Sequence, residues 1–446
     1  MTARGSPPAP VDLLVEGARL LSPGVSLAEA RITVRGDRIV DIAACDGPPP
    51  PAARVIEARG CIAIPGLINA HTHTVLSLMR GIAEDMGFAP AYTRGVPRAP
   101  MVTEAEAVAL ARLGALEALR LGSTLVCDTY VHARHTIPAM AELGLRVAGC
   151  TLLHDVDFAG MPDGRWDYDD TIGERTLAEA VEIAETLHGT AEGRITATMA
   201  PHAPDTCSTA FLRRCAEAGR DLGLRTCIHL AQSRIEVDRI RARDGCTPVE
   251  LVDAVGLLDD RLTAAHGIYM TADDIARAGR AGITVAHVPK GNAGGGMMAP
   301  TPALRAGGVR LALSTDNLLA DMLETLRWAL CIGRLQAGGV RDDWQPEDVF
   351  AMATVAGAAA MGLGDDLGAL EPGRKADIVL LDAQGPQFVP MIDALGVLVH
   401  CAQGALVRDV VVNGQHVIAD GHHAHADEAR IRADAQAAAE ALWARA

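Results

Sequence analysis

The sequence predicts an α/β protein with a (β/α)8 TIM-like barrel and a small flanking β-sandwich domain built from both termini. The centre of the chain alternates strand-like and helix-like segments, which is typical of a parallel sheet with crossover helices. Both ends carry short strand-like runs separated by turns. Several apolar runs in the centre end on a histidine or an aspartate, and such barrels collect their functional residues at the carboxyl ends of their strands.

The length of the chain fits one barrel and one smaller unit. A (β/α)8 barrel takes about 250 residues, whereas this chain has 446. We assign residues 66–365 to the barrel, and residues 1–65 and 366–425 to the β-sandwich domain. The pattern of residues 426–446 predicts a C-terminal helix.

The two ends of the chain have the short runs and turns of β structure. In the N-terminal part, strands are expected at 13–18, 31–35 and 39–42, with a Gly-Asp hairpin turn between the last two. After residue 366 the chain returns to β character, with strands expected at 377–382 and 406–412 and an Asn-Gly hairpin turn at 413–414.

The central segment alternates helix and strand. A helical pattern over 104–121 precedes a strand-like run at 122–128, and a helical pattern over 177–187 precedes a run at 195–199. The apolar run 145–153 ends just before His154. This rhythm indicates strands joined by helices and therefore a parallel sheet.

Composition excludes several classes of partner. A net charge of −16 argues against nucleic acid and against anionic membrane surfaces. The apolar runs are shorter than the roughly 20 residues of a membrane helix, and the N-terminus has no apolar signal core. The ten cysteines include no C-x-x-C pair, which favours free thiols in a reducing compartment. We therefore expect a cytoplasmic protein that binds a small molecule.

Two histidines lie two residues apart in segment 65–73, which reads PGLINAHTH. On a β-strand, residues i and i+2 point to the same side. His71 and His73 can therefore present two imidazoles to one metal ion. An H-x-H pair alone is weak evidence, and it becomes strong only if other strands end in ligands.

Other apolar runs do end in metal-capable side chains. One run ends at His229, one at His266 and one at Asp316. Histidines and one carboxylate, with room for a water, form the donor set of a catalytic zinc-type site.

These stretches resemble the amidohydrolase superfamily, in particular its mononuclear-metal deaminase and chlorohydrolase branch, which contains S-adenosylhomocysteine/methylthioadenosine deaminases, guanine and cytosine deaminases and triazine hydrolases. The matching segments cover nearly the whole chain: 65–73, 78–81, 200–204, 229–231, 265–267, 299–300, 314–316 and 370–379. The resemblance implies a (β/α)8 barrel, a β-sandwich built from both termini, and a homo-oligomer, dimer or higher.

The resemblance also implies a set of metal ligands: His71, His73, His229 and Asp316, with His266 beside them. The binuclear branch uses a carboxylated lysine on its fourth strand, and neither Lys290 nor Lys375 is near that position. We therefore expect one divalent cation. Imidazole and carboxylate favour Zn, and Fe(II) or Mn(II) also fits.

The resemblance assigns catalytic and substrate-binding roles as well. A bound cation lowers the pKa of water toward neutrality. Asp316 would ligate the metal and take the water's proton, and His266 would either hold the attacking hydroxide or stabilise the developing charge. His202 would hydrogen-bond the substrate. The pair Asp316-Asn317 resembles triazine chlorohydrolases, and we include Asn317 and Arg80 among the substrate-binding residues.

An aromatic segment follows the third barrel strand. Trp166 lies with Phe158 and Tyr168 in segment 155–171 of a chain that has only 3% aromatic residues. Together with the loop 84–98, this segment could cover a planar ligand, with Trp166 in contact with it. Ordinary loop packing is the alternative.

One position departs from the related deaminases. Those deaminases carry a glutamate three residues after the histidine of the fifth barrel strand. Here that histidine is His229, and the residue three positions later is Gln232. A glutamine amide forms hydrogen bonds but does not transfer a proton as a carboxylate does. Either Asp316 transfers the proton alone, or another carboxylate (Asp155, Asp157, Glu84 or Asp85) reaches the site, or the substrate needs less acid help. We expect Glu236, one helical turn further on, to be a solvated helix residue.

Three functions remain open. The first is metal-dependent hydrolysis of a C–N or C–Cl bond of a nitrogen heterocycle, with Gln232 in the catalytic site. The second is hydrolysis of an amide, carbamate or cyclic amide with Asp316 as the sole proton-transfer group. The third is a non-catalytic scaffold, which the survival of every expected ligand disfavours.

Overall fold

The computed structural model describes residues 10–86, 93–317 and 319–446, with only the backbone given for residues 83 and 84. The strands are β1 (Val11–Ser22), β2 (Val25–Arg35), β3 (Arg38–Ala44), β4 (Ala52–Glu57), β5 (Cys61–Pro65), β6 (Leu67–Thr72), β7 (Ser123–Tyr130), β8 (Arg146–Thr151), β9 (Ile195–Ala197), β10 (Thr226–Leu230), β11 (Leu262–His266), β12 (Thr284–His287), β13 (Arg310–Leu313), β14 (Ile378–Asp382), β15 (Val407–Val412), β16 (Gln415–Ala419) and β17 (His422–His423).

Helices follow most of the central strands. They are α1 (Ala83–Met86), α2 (Glu104–Arg120), α3 (Ala133–Ala141), α4 (Asp170–Leu187), α5 (Thr190–Gly193), α6 (Thr209–Asp221), α7 (Arg234–Asp244), α8 (Pro248–Ala254), α9 (Ala272–Ala281), α10 (Pro289–Gly294), α11 (Thr301–Ala306), α12 (Met322–Gln336), α13 (Pro346–Met352), α14 (Val355–Ala360), α15 (Ala394–Cys401) and α16 (Glu428–Trp443). Short 3₁₀ turns lie at Thr74–Met79, Ala99–Met101, Met161–Asp163, Pro386–Phe388 and Gly404–Leu406.

Strands from the two ends of the chain form one sheet. Across the described ranges it has nine strands in the order β17-β16-β15-β14-β5-β1-β2-β3, with β4 paired to β1. β14, from the C-terminal part, pairs antiparallel with β5, from the N-terminal part. The sheet has its own apolar cluster, which includes Leu13, Ile32 and Ile378. The complete sheet therefore forms only when strands from both ends of the chain pair.

The central strands form parallel sheets. In the described parts of the chain, one has the order β6-β7-β8-β9 and the other β10-β11-β12-β13. Isolated parallel bridges join their edges, one from Met199 to Thr226 and one from Thr72 to Asp316. The predicted α/β class with parallel sheets is confirmed.

A close backbone approach links the flanking sheet to the first parallel strand. Gly66 separates β5 from β6, and a Cβ atom there would lie 2.0 Å from the Thr124 hydroxyl oxygen on β7. Only glycine fits without displacing β7. The Pro-Gly step that precedes the two histidines is thus a packing requirement of the strand that carries them.

A buried ion pair joins the parallel strands to the flanking sheet. Arg146 on β8 donates two hydrogen bonds to Asp377 (2.8 and 3.0 Å) and one to the side-chain oxygen of Asn413 (2.7 Å). Asp377 also accepts from the backbone N–H of Asn413 at 2.8 Å. Both charged side chains are only 4% exposed. Every charge in this network therefore has a partner.

Two cysteines meet between strands that are not neighbours. The Sγ atoms of Cys127 on β7 and Cys227 on β10 lie 3.3 Å apart and are buried. The cysteines of the described residues are free thiols.

The chain region 366–425 is not β structure throughout, as the sequence suggested. Residues 394–401 form α15, and the side chain of Asp393 caps this helix by accepting from the N–H of Gly396. Short apolar runs do not distinguish helix from strand.

No helix among the described residues is long and apolar enough to cross a membrane.

Candidate metal centre

Neighbouring strand ends carry the candidate ligands. His71 lies in β6 and His73 directly follows it, while His229 and His266 lie at or near the ends of β10 and β11. Asp316 comes three residues after β13. The four histidines are 4–7% exposed. Parallel strands place their carboxyl ends at one edge, so residues distant in sequence come together there.

The donor atoms of these residues converge. The Nε2 atoms of His73 and His229 are 3.2 Å apart. One carboxylate oxygen of Asp316 lies 3.7 Å from Nε2 of His71 and 3.6 Å from Nε2 of His73. Its other oxygen lies 3.8 Å from Nε2 of His266. Such spacing between donor atoms is that of ligands arranged around one cation.

In three of the four histidines, a hydrogen bond on the far side of the ring fixes the tautomer. Nδ1 of His73 lies 2.7 Å from the carbonyl oxygen of Thr129, and Nδ1 of His229 lies 2.7 Å from that of His202. Since a carbonyl only accepts, Nδ1 carries the proton in both rings. Nδ1 of His266 lies 3.1 Å from the side-chain oxygen of Asn292 and donates to it. Each Nε2 therefore presents a lone pair to the centre.

The arrangement fits a cation and is unfavourable without one. Two Nε2 lone pairs face each other at 3.2 Å, and Nε2 of His71 is buried without a hydrogen-bond partner among the described residues. Burial lowers the pKa of His71 and of His229 well below the ordinary value, and neighbouring histidines lower it further. Neutral imidazoles that point their lone pairs at one spot are ligands for a divalent metal ion.

The backbone is strained where these strands end. Asp316 has φ 60°, His266 has φ 75° and Ala231, two residues after His229, has φ 50°. Non-glycine residues rarely occupy this left-handed region, and such strain persists only where the surroundings hold it. The chain therefore turns sharply after each of these strands.

Side-chain amides and hydroxyls lock the first and last strand ends together. Asn69 donates to the Thr315 hydroxyl (2.7 Å) and accepts from the Thr315 backbone N–H (3.1 Å). The Thr72 hydroxyl donates to the carbonyl oxygen of Asp316 at 2.8 Å. Sequence reasoning missed Asn69 and Asn292. For Asn69 a signal existed, because it precedes His71 by two residues on the same strand.

Gln232 comes three residues after His229, in the turn between β10 and α7. It is partly buried, and its side-chain amide forms no hydrogen bond with any other described residue. Its backbone N–H donates to Glu236 at 2.7 Å.

The prediction that Glu236 is a solvated helix residue is wrong. Its exposed fraction is 0%, and its carboxylate accepts from the backbone N–H groups of Ala231 and Gln232. Burial, together with the nearby Asp205, raises its pKa well above the ordinary value. The first turn of α7 packs against the strand end instead of facing water, and Glu236 lies one helical turn before the buried Ile240 on the same face of the helix.

His202 lies against the centre through its backbone and ring. Its ring centroid is 4.8 Å from that of His229, and its Nδ1 lies 2.9 Å from the Thr206 hydroxyl. Burial, followed by the charges of His154 and His73, lowers the pKa of His202 to about 3. The ring is neutral at physiological pH and can only exchange hydrogen bonds with a neighbour.

Arg80 and Asn317 line one cavity with His73. The exposed Arg80 also forms an ion pair with Glu117 at 2.8 Å. Trp166 is not among the residues that line this cavity. The guanidinium carbon of Arg239 on α7 stacks over its ring at 4.7 Å.

Of the other carboxylates named from the sequence, Asp155 and Asp157 have structural partners. Asp155 accepts from the backbone N–H of Ser208 at 2.7 Å, and Asp157 accepts from that of Ala159 at 2.9 Å. The side chain of Glu84 lies outside the described residues, and Asp85 is exposed in α1.

Comparison with known proteins yields consistent relatives. A profile described as the amidohydrolase family matches residues 62–417. A 5-methylthioadenosine/S-adenosylhomocysteine deaminase of Moorella thermoacetica is 35% identical over 411 residues, which cover 89% of this chain and 92% of that protein.

Solved structures have the same fold. A zinc-bound adenosine deaminase from Xanthomonas campestris has a TM-score of 0.87 and 26% identity, with 98% of this chain and 99% of that chain covered. A zinc complex of an atrazine chlorohydrolase from Arthrobacter aurescens has a TM-score of 0.83 at 24% identity, with 96% and 100% covered, and this likeness concerns the fold.

Proposed function

The chain belongs to the amidohydrolase family, and from this premise we propose that it removes the amino group from the purine ring of an adenine nucleoside. The chain is an enzyme, a metal-dependent hydrolase that acts on C–N or C–Cl bonds of nitrogen heterocycles. The relatives that share most of its length suggest the finer substrate class. The observation that carries the proposal is the convergence of unprotonated Nε2 atoms and one carboxylate at a buried point.

We infer that β6 to β13 close into a (β/α)8 barrel around this point. The bridges from Met199 to Thr226 and from Thr72 to Asp316 support closure, because they join both edges of the two parallel sheets. The sheet built from both termini is the flanking β-sandwich domain of this interpretation, with residues 1–65 and 366–425. Residues 426–446 contribute the C-terminal helix.

We propose one Zn ion held by His71, His73, His229 and Asp316. Imidazole nitrogens and a carboxylate oxygen suit Zn, and Fe(II) or Mn(II) is compatible with the same donors. When bound, such an ion supplies Lewis acidity that makes water a nucleophile at neutral pH. Metal analysis of the purified protein tests this assignment, and we expect one ion for each chain.

The proposed reaction replaces the exocyclic amine by oxygen. Water forms a C–O bond to the ring carbon, the C–N bond breaks, and ammonia leaves. Asp316 accepts one proton of the water and delivers it to the leaving nitrogen, while the second proton ends on the ring nitrogen. Nε2 of His266 lies 3.8 Å from Asp316, and its lone pair accepts a hydrogen bond from the attacking water and so holds it in place.

The remaining predicted residues surround the substrate in this proposal. His202 exchanges a hydrogen bond with the heterocycle, since its ring is neutral and adjoins that of His229. Asn317 and Arg80 contact the substrate from the side of His73, whose cavity they line. Trp166 contributes to the segment that covers the ligand, and Arg239 holds its ring. We also propose a homo-oligomer, which light scattering tests.

Gln232 favours a second candidate function. Without a carboxylate at this position, substrates whose leaving group needs no proton are favoured, such as a chlorinated heterocycle. The same candidate includes hydrolysis of an amide, carbamate or cyclic amide; there the leaving nitrogen does need a proton, and Asp316 is the sole group that supplies it.

One assay separates these functions. The zinc-loaded protein is incubated with adenosine, 5-methylthioadenosine, S-adenosylhomocysteine, a chloro-s-triazine and a cyclic amide, and ammonia, chloride and ring opening are measured. We expect ammonia from the adenine nucleosides. Chloride or ring opening without ammonia would select the second candidate. Asp316→Asn serves as the inactive control.

A further inference from the structure

An acidic residue occupies the third position of α7, as in several other helices of this protein. At the start of α8, Glu250 accepts from the backbone N–H of the capping residue Thr247 at 2.9 Å, and the Thr247 hydroxyl accepts from the N–H of Glu250 at 3.1 Å. This reciprocal pair is a capping box and stabilises its own helix.

Glu236 has the same helix position and different partners. The hydroxyl of its capping residue, Ser233, accepts from the N–H of Glu236 at 3.1 Å. The carboxylate, however, reaches past the cap. One oxygen accepts from the N–H of Ala231 at 2.8 Å and the other from that of Gln232 at 2.7 Å. The group is fully buried, so its bonds serve the turn that precedes the helix.

That turn is strained and is held from two sides. Ala231 has φ 50°, and its carbonyl oxygen accepts from the N–H of Tyr269 at 2.9 Å. The N–H of Gly267, next to His266, donates to Leu230 at 3.0 Å. The loop after β11 therefore holds one side of the turn, and Glu236 holds the other.

We propose that Glu236 is a positioning residue that sets the orientation of Gln232 toward the substrate. This inference rests on the proposed function and adds to it that the side-chain amide of Gln232 contacts the substrate. Two N–H groups bound by one carboxylate fix both peptide planes of the turn, and those planes determine where the side chain of Gln232 points. Glu236→Gln leaves one acceptor and places an amide N–H against a backbone N–H.

A double-mutant cycle tests the proposal. We compare kcat/KM, zinc content and the free energy of unfolding for the wild type, E236Q, Q232A and the double variant. We expect E236Q to lower kcat/KM by about 10²-fold, the loss that a small misplacement of a catalytic group causes. In the Q232A background the same change should cost less than about twofold. E250Q is the matched control and should leave kcat/KM unchanged.

Rescue provides a second readout. Glycine adopts a positive φ without strain, so A231G in the E236Q background should recover part of kcat. If E236Q alone folds poorly, the variant with A231G replaces it in the comparison. An equal loss from E236Q with and without Gln232, or no recovery with A231G, would overturn the proposal.

Failure of the proposed function gives a different result. In that case the wild type releases no ammonia from adenine nucleosides, whereas crystals of E236Q still report on the turn. If residues 231 and 232 keep their positions in those crystals, Glu236 is not a positioning residue whatever the substrate.

Discussion

Two buried polar clusters in this protein have opposite designs. In the network that joins β8 to the flanking sheet, Arg146 and Asp377 pair with each other, and both also form hydrogen bonds with Asn413. In the metal centre, outer hydrogen bonds orient the rings of His73 and His229, whose Nε2 atoms face each other at 3.2 Å. The first cluster is complete within the fold, and the second is complete only with a cation.

The comparison separates a buried polar cluster that stabilises the fold from one whose arrangement suits binding. A buried charge is tolerated when it has partners, and removal of one partner is costly. The converging imidazole nitrogens are explained instead by a cation that they would bind, since Nε2 of His71 is buried without a hydrogen-bond partner among the described residues. Substitutions in the first cluster should therefore change stability, and those in the second should change activity.

The largest effect is expected from Asp316→Asn. The amide cannot accept the water's proton, so kcat should fall by at least about 10²–10⁴-fold. The free energy of unfolding of the metal-free protein should stay close to that of the wild type. Steady-state ammonia release and urea titration measure the two quantities. A destabilised but active variant would reverse the roles assigned to the two clusters.

Arg146→Met should act in the opposite way. The buried Asp377 carboxylate would lose its charged partner, which costs about 3–5 kcal/mol of stability. The activity of the protein that remains folded should be near that of the wild type. The double variant R146M/D377L is the control, and it should regain part of the loss because no unpaired charge is left. A purely additive loss would contradict this account.

The sequence indicated most of the candidate site because each ligand ends an apolar run. His71, His229 and Asp316 could be connected through strand ends alone, since a parallel sheet brings those ends together. The partners of Arg80 and Trp166 could not be predicted, because Glu117 and Arg239 meet them only through tertiary packing.

Glu236 shows a different limit of the sequence. A glutamate is rarely fully buried, so the sequence did not predict the burial of Glu236, although Ile240 one turn further on lies on the same covered face of α7. α15 illustrates a third limit, since a short apolar run is compatible with either helix or strand.

Metal removal should also distinguish the two clusters. A ligand that binds only the folded state stabilises it by about 2.7 kcal/mol at 100 times its dissociation constant. A chelator should therefore lower the Tm of the wild type, and the shift should vanish in His229→Ala. R146M should keep the shift, since Arg146 lies at the start of β8, whereas the candidate metal ligands lie at the carboxyl ends of their strands. An equal shift in all three proteins would indicate chelator effects unrelated to the centre.

The smallest effect is expected from Gln232→Glu. The new carboxylate could share proton transfer with Asp316, so ammonia release should rise by about tenfold, below the full range of general acid–base catalysis. Gln232→Met, which lacks both hydrogen bonding and charge, is the matched control and should lower the rate. A fall in ammonia release with Gln232→Glu would indicate that the amide itself is required.

The left-handed turns at Ala231, His266 and Asp316 have a consequence for how the protein acquires its ion. These residues already hold unfavourable backbone angles in a chain whose fold imposes them. An arriving cation thus finds its ligands preset, and uptake requires little rearrangement of the main chain. Loading should then be limited by diffusion of the ion to these strand ends, and an apo preparation should regain its ion without unfolding.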